Sequence, residues 1–173
     1  MGTKIIRATS KDVKLISELG AETFDQAFRG TCTDEDLKGV LEEFYNEEQV
    51  AKELMDSEDY FFILYQEDKA AGYARINLGD KTVPQFADKK SAELKRIYFL
   101  NEFHGKGLAQ QLIGFCFDFL KEKGYQQVYL SVWEHNDRAQ AFYVKNDFAD
   151  TKIENPFPLG ETPQMDYWFL KKL

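Results

Sequence analysis

Long apolar runs are missing from this chain. No stretch of its 173 residues approaches the roughly 20 consecutive apolar positions that cross a bilayer, so nothing points to a membrane. Cysteine and histidine are scarce, with two of each: Cys32, Cys116, His104 and His135. The cysteines match neither a zinc-ligand spacing nor a disulfide framework, and no metal cluster is visible. Internal repeats, low-complexity tracts and interdomain linkers are also lacking, which leads us to expect a single domain over 1–173. The start, Met1-Gly2-Thr3-Lys4-Ile5-Ile6-Arg7, has no apolar core of a secretory signal. Gly2 does not open a myristoylation motif, because position 6 is Ile where Ser or Thr is needed. A soluble, cytoplasmic protein is the expectation. Positive charge is short as well. The net charge of −8 argues against nucleic acid as the main partner.

What is present is a folding composition, 43% apolar and 15% aromatic. The charge is unevenly spread. Residues 18–59 hold 14 acidic and 3 basic residues, a net of −11, while the rest of the chain is slightly basic at +3. The apolar periodicity predicts a strand at 4–8, a helix at about 11–28 and a helical region from Thr33 to about Asp56. A hairpin follows, with strands at 60–65 and 70–77, and then a polar loop at 79–91. Next come a strand at 92–100, a helix at 105–123 with Leu108, Leu112, Cys116 and Leu120 on one face, and a strand at 127–133. A short helix capped by Asn136 and two strands, 148–153 and 164–170, complete the chain. Strands alternating with helices predict an α/β fold, a mixed sheet with helices on its faces.

The chemistry concentrates in Ile97-Tyr98-Phe99-Leu100-Asn101-Glu102-Phe103-His104-Gly105-Lys106-Gly107-Leu108-Ala109. A buried strand ends, a short loop follows, and two glycines open an amphipathic helix. Glycine allows a ligand close to the backbone. The unpaired N–H groups of a helix start favour an anion, and the spacing suits a pyrophosphate. A phosphate-binding P-loop is excluded, because Gly107 follows Lys106 where Ser or Thr is required. A dinucleotide fingerprint is disfavoured by Gln110 in place of its third glycine and by the position past mid-chain. An ordinary glycine-containing turn before a core helix stays open as the plain alternative. Cys116 falls on the apolar helix face and reads as a core thiol, and neither histidine has a Cys or Ser at motif spacing.

His104-Gly105-Lys106-Gly107-Leu108-Ala109 resembles the coenzyme A loop, Gln/Arg-x-x-Gly-x-Gly/Ala, of the GCN5-related N-acetyltransferase (GNAT) superfamily, with His104 in place of its first Gln or Arg. Val132-Trp133-Glu134-His135-Asn136 through Tyr143 resembles that superfamily's second signature. The resemblance covers almost the whole chain. It implies a twisted mixed sheet of about seven strands with about four helices, splayed between the fourth and fifth strands. It also implies acetyl-CoA as co-substrate, bound by His104, Gly105, Lys106, Gly107, Leu108, Ala109 and Asn136, with the pantetheine arm along the backbone of Ile97, Tyr98 and Phe99. Tyr143 would lie near the sulfur and protonate the leaving thiolate, a phenol with a pKa near 10 being able to donate. Glu93, in Ala92-Glu93-Leu94-Lys95-Arg96-Ile97-Tyr98, matches the carboxylate that serves some members as general base through water; a surface carboxylate at a strand end is the competing reading. Such help is needed, since only about one alkyl amine in 2,000 is neutral at pH 7. Tyr98, expected on the same face as Leu94 and Arg96, would line the acceptor site or pack in the core.

The first half, with Ala21-Glu22-Thr23-Phe24, Thr33-Asp34-Glu35-Asp36-Leu37 and Glu47 to Leu54, is similar to bacterial polyamine (spermidine/spermine) N-acetyltransferases of the PaiA type. A small-molecule amine acceptor, a polyamine above all, is therefore expected. The acidic stretch would help to attract it, although solvated helix faces explain the same charges. A peptide or antibiotic amine, and a non-catalytic acetyl-CoA sensor, remain open, as does a homodimer.

Overall fold

The computed structural model describes residues 2–79, 83–87 and 90–173. Met1 and part of the polar loop expected at 79–91, namely 80–82 and 88–89, lie outside the described residues. The element order is β1 (Thr3–Arg7), α1 (Val13–Phe28), α2 (Asp34–Phe44), α3 (Glu47–Met55), β2 (Asp59–Gln66), β3 (Lys69–Asn77), α4 (Pro84–Ala87), β4 (Ser91–Phe99), α5 (Leu108–Glu122), β5 (Gln127–Trp133), α6 (Asp137–Lys145), β6 (Ala149–Pro156) and β7 (Met165–Lys172). The seven strands form one sheet in the order β1-β2-β3-β4-β5-β7-β6. Only β4 and β5 run parallel; the other pairs are antiparallel.

Six described helices replace the four expected, for local reasons. Asn46 caps α3 by accepting from the Gln49 N–H at 2.8 Å, and this splits the acidic helical region in two. The short α4 begins at Pro84 in the expected loop, proline being well suited to a first helical turn. The 3-10 turn Ser10–Asp12 precedes α1 and is held by a capping box between Thr9 and Asp12.

The two faces of the sheet are built differently. On one face, Tyr60 and Phe62 of β2 pack against Phe115 and Phe119 of α5, and Leu112, Ile113, Cys116 and Leu120 are fully buried. The core position of Cys116 holds its thiol pKa up to about 12, through burial alone. The other face is covered by α1 and α3. It contains Phe61, Tyr73 and Tyr98, but also ions. Glu53 of α3 accepts from Arg96 at 2.8 Å and 3.1 Å and meets Arg75 at 2.7 Å. Asp59 accepts from Arg75 at 3.0 Å and 2.6 Å and from Asn77 at 3.0 Å. Two carboxylates and two guanidinium groups thus neutralise one another under the helices, as buried charges must.

One irregularity positions the site. Arg75 faces Arg96 and Ile76 faces Leu94, so Lys95 is an extra residue, a β-bulge. Residues opposite one another share a face, so Arg96 and Tyr98 lie on the α1 side with Arg75 and Tyr73, whereas Leu94 points to the α5 side with Ile76. The expected grouping of Tyr98 with Arg96 holds; that with Leu94 does not, because the bulge breaks the alternation. Glu93, opposite Asn77, returns to the Tyr98 face. The bulge also marks where β4 leaves β5. Their pairing stops at Glu93 and Tyr129, and the rest of β4 up to Phe99 has no partner on that side. This is the splay between strands 4 and 5.

Candidate active site

At the splay lies a cleft of about 720 Å³. The free end of β4 supplies Ile97, Tyr98 and Phe99, and the following loop supplies Asn101, Phe103, His104 and Gly105. The start of α5 contributes Gly107, Leu108, Ala109 and Gln110. The far wall is α6, through Asn136, Arg138, Ala139, Phe142, Tyr143 and Lys145, while Thr23, Gln26 and Ala27 of α1 close the side nearest Tyr98. The cleft therefore runs through the sheet, from the helices α5 and α6 to α1 on the opposite face.

Its walls are tied together by specific bonds. The Asn101 N–H donates to Gln26 Oε1 at 2.8 Å, fixing α1 to the loop after β4. Gln110 donates to Asn146 Oδ1 at 2.6 Å, and Asn146 donates to the Phe142 carbonyl at 2.9 Å, so the start of α5 is locked to the end of α6. Asn136 caps α6 by accepting from the Ala139 N–H at 3.1 Å.

The start of α5 is different. Thr33, Asn46 and Asn136 cap α2, α3 and α6, and α1, itself without a side-chain cap, continues from the capped 3-10 turn Ser10–Asp12; among the described residues no side chain caps α5. Gly107, its first flanking residue, has φ 75°, as does Gly105, a backbone region that glycine adopts freely. A Cβ on either would meet nothing within 4 Å, so the surface there is open. An uncapped helix start with open backbone, facing Arg138 and Lys145 across a cleft, fits an anion such as a pyrophosphate. Along the free edge of β4, unpaired backbone groups fit an extended amide-bearing chain, as a strand edge does. These residues fit coenzyme A. Among the described residues there is no grouping of three or more His, Cys, Asp or Glu side chains able to hold a metal.

The titratable groups in the cleft are shifted by burial. Tyr143, half-buried against Phe142 and Phe148, has its phenol pKa raised by desolvation and stays protonated at neutral pH. Tyr98 is raised too, by desolvation first and then by the nearby Tyr45 and Tyr143 hydroxyls. It both lines the cleft and packs against Phe24 and Tyr73. His104 bridges Arg138, whose Nη1 lies 3.0 Å from Nδ1, and the Phe99 carbonyl, 3.0 Å from Nε2. Its pKa is lowered by desolvation and by the Arg138 charge.

Ten of the twelve residues singled out from the sequence line this cleft: Ile97, Tyr98, Phe99, His104, Gly105, Gly107, Leu108, Ala109, Asn136 and Tyr143. Lys106 and Glu93 are not in the lining. Lys106 lies over the Phe103 ring, 5.0 Å from its centroid. Glu93 is buried where β4 and β5 still pair and meets Lys95 at 2.9 Å. Sequence reasoning passed over Gln26, Gln110, Arg138, Phe142 and Lys145. Arg138 and Phe142 stand four apart on α6, in the row next to that of Ala139 and Tyr143, so one line of helical spacing from Tyr143 does not reach them.

Residues 22–148 match the acetyltransferase (GNAT) family. An uncharacterised N-acetyltransferase in the pepI 3′ region of Lactobacillus delbrueckii subsp. lactis is 31% identical over 176 residues, spanning 99% of this chain and 98% of that one. A spermidine N(1)-acetyltransferase of Thermoplasma acidophilum is 25% identical over 159 residues, 90% and 91% of the two chains. Among solved structures, the PaiA N-acetyltransferase of Thermoplasma acidophilum in complex with coenzyme A superposes with a TM-score of 0.82 at 20% identity, each chain covered in full. A GNAT-family acetyltransferase from Listeria monocytogenes gives 0.73 at 19% identity, with 99% and 95% covered.

Proposed function

Because this chain belongs to the acetyltransferase (GNAT) family, it is an acetyl-CoA-dependent N-acetyltransferase, and we propose that it passes the acetyl group directly to a primary amine in a ternary complex, with a polyamine such as spermidine as acceptor. The observation that carries the reading is the convergence, in one cleft through the sheet, of the uncapped start of α5, the free edge of β4 and the phenol of Tyr143.

Acetyl-CoA, when bound, supplies an activated acyl carbon and a thiolate leaving group. The chain's own residues do the rest. The N–H groups at Leu108, Ala109 and Gln110, with Arg138 and Lys145 opposite, hold the phosphates. The backbone of Ile97, Tyr98 and Phe99 aligns the arm, and a backbone N–H there polarises the carbonyl. Tyr143, kept protonated by burial, gives its proton to sulfur. Glu93 would accept protons only through water, because five residues of strand, roughly 16 Å, separate it from Tyr98.

Two observations support a polyamine. One similar chain is a spermidine N(1)-acetyltransferase. The other is the charge of residues 18–59. Glu53 and Asp59 are neutralised inside, and Asp36 is held by Thr162 at 2.6 Å and the Glu161 N–H at 3.0 Å. The exposed carboxylates that remain, such as Glu22, Glu35, Glu43 and Glu58, set a potential that draws cations. Coenzyme A release should be measured with spermidine, spermine, a lysine peptide and an aminoglycoside. Spermidine is expected to show a lower KM than a monoamine, and the advantage should shrink with salt. Equal rates with neutral-tailed amines would exclude the polyamine.

A further inference from the structure

Four carboxylates are buried among the described residues: Glu53, Asp59, Glu93 and Asp166. Three have cations, namely Arg75 and Arg96 at Glu53, Arg75 at Asp59, and Lys95 at Glu93. Asp166 of β7, 8% exposed, has none. Only the Ser131 hydroxyl favours its charged form. A carboxylate held away from water without a counter-charge is costly and calls for a reason.

Its position supplies one. Asp166 stands opposite Trp133 of β5, on the face that carries Tyr98 and α1. The Trp133 ring meets Phe28 of α1 at 6.1 Å, Phe28 stacks on Phe24 at 4.4 Å, and Phe24 meets Tyr98 at 6.2 Å. Asp166 is close enough to Tyr98 to act on its ionisation. An anion thus sits behind aromatic rings on the side of the sheet opposite α5 and α6; like Glu93 it is outside the cleft lining, but it is near Tyr98, which is in it. Aromatic faces and a carboxylate together suit an alkyl ammonium.

We propose that Asp166 receives the ammonium group of the acceptor, on the α1 side of the sheet, and takes its proton before transfer. The inference rests on acetyl transfer to an amine. The proton balance is closed: R–NH3⁺ gives one proton to the Asp166 carboxylate and becomes R–NH2. The nitrogen lone pair then forms the C–N bond as the C–S bond breaks. Sulfur takes the Tyr143 proton, Tyr143 recovers one from nitrogen, and the proton on Asp166 passes to water. The products are the N-acetylamine, the thiol and one proton.

The electrostatics suit that role. Burial pushes the Asp166 pKa up to about 6; the Ser131 hydroxyl opposes the rise and the Glu134 charge adds to it. The other groups around it are Tyr98 of β4, Trp133 of β5, Asn155 of β6 and His135, which lies 3.8 Å from Glu134. The carboxylate is ionised at neutral pH yet close enough to 7 to hold a proton during the step.

The test compares wild type with Asp166→Asn. Coenzyme A release is followed over pH 5–9 with spermidine and butylamine, and the binding of each amine to the coenzyme A-saturated protein is measured by calorimetry. At pH 7 the variant should lose about 100-fold or more in kcat/KM. It should also lose the acidic limb near pH 6 and bind amines more weakly, while coenzyme A affinity stays unchanged. Equal kcat/KM and amine affinity in the two proteins overturn the inference and leave acetyl transfer standing. Amine binding that depends on Asp166 without any coenzyme A release overturns the transfer reading and keeps the ammonium site. Amine binding by neither protein overturns the ammonium site and leaves acetyl transfer to another acceptor standing. Ser131→Ala provides a second variant, expected to move the acidic limb to higher pH; an unmoved limb counts against Asp166.

Discussion

One face of this sheet treats its charges in two ways. Beneath α3, every buried ion is matched: Glu53 and Asp59 each meet a guanidinium, and Asn77 takes up a remaining lone pair. Toward the splay, on the same face, Asp166 has no cation among the described residues, and through the splay the start of α5 has no described side chain as cap. The matched end is internally complete, so its groups answer to folding. The unmatched end leaves a negative group on the α1 side and open N–H groups at the start of α5, which would complement the proposed ammonium and the phosphates of coenzyme A. Polar groups left unsatisfied in an otherwise well-paired fold are where function is to be sought.

That contrast can be broken from either end. Tyr143→Phe, at the open end, should cut acetyl transfer by about 100- to 10,000-fold without changing coenzyme A affinity; steady-state rates beside calorimetry check it, and an unchanged rate removes Tyr143 as the acid. Glu53→Gln, at the matched end, strands the buried Arg96 and should cost about 3–5 kcal/mol in denaturant unfolding.

Asp166→Asn should do the reverse and stabilise the substrate-free protein by ~2–3 kcal/mol at pH 7. The sign follows from the raised pKa: ionised Asp166 opposes folding, so its favourable contribution is complete below pH 3.8 and is lost as pH rises through about 6. Unfolding curves at pH 7 should therefore separate the two proteins, and those below pH 4 should not. Gly107→Ala forces a side chain into φ 75° with no crowding to blame, and should cost ~1–2 kcal/mol, read as a lower stability in denaturant unfolding. The smallest effect belongs to His104. Its lowered pKa means that its contribution to stability is complete above 6.5 and is lost as pH falls through the folded value. Arg138→Ala should raise the midpoint of its NMR titration.

The coenzyme side was largely legible in the sequence because its parts are local. Gly105, Gly107 and the helix after them, or Asn136 and Tyr143 seven residues on, each carry their geometry in a few consecutive positions. The split at Asn46 was legible too, since Asn46 with Gln49 three residues later has the form of a helix start, and it was missed. The proposed amine site was not legible. Asp166 reads as any carboxylate in a strand, and the role proposed for it depends on Trp133, Tyr98 and Phe28, brought together from three other elements. The bulge was hidden for another reason: Leu94, Arg96 and Tyr98 keep an unbroken alternation along the chain, and only the partner strand reveals the extra residue.

That extra residue has a consequence for how the protein can change. The bulge lies where β4 parts from β5, and a bulge arises from the number of residues between two pairing points rather than from their identity. Replacing Lys95 by another side chain leaves that number intact. Deleting it would put β4 in unbroken register with β3, with Leu94 and Arg96 keeping their faces. The irregularity beside the cleft is therefore inherited as a length and not as a letter: substitution at Lys95 leaves it in place, and the loss of one codon removes it.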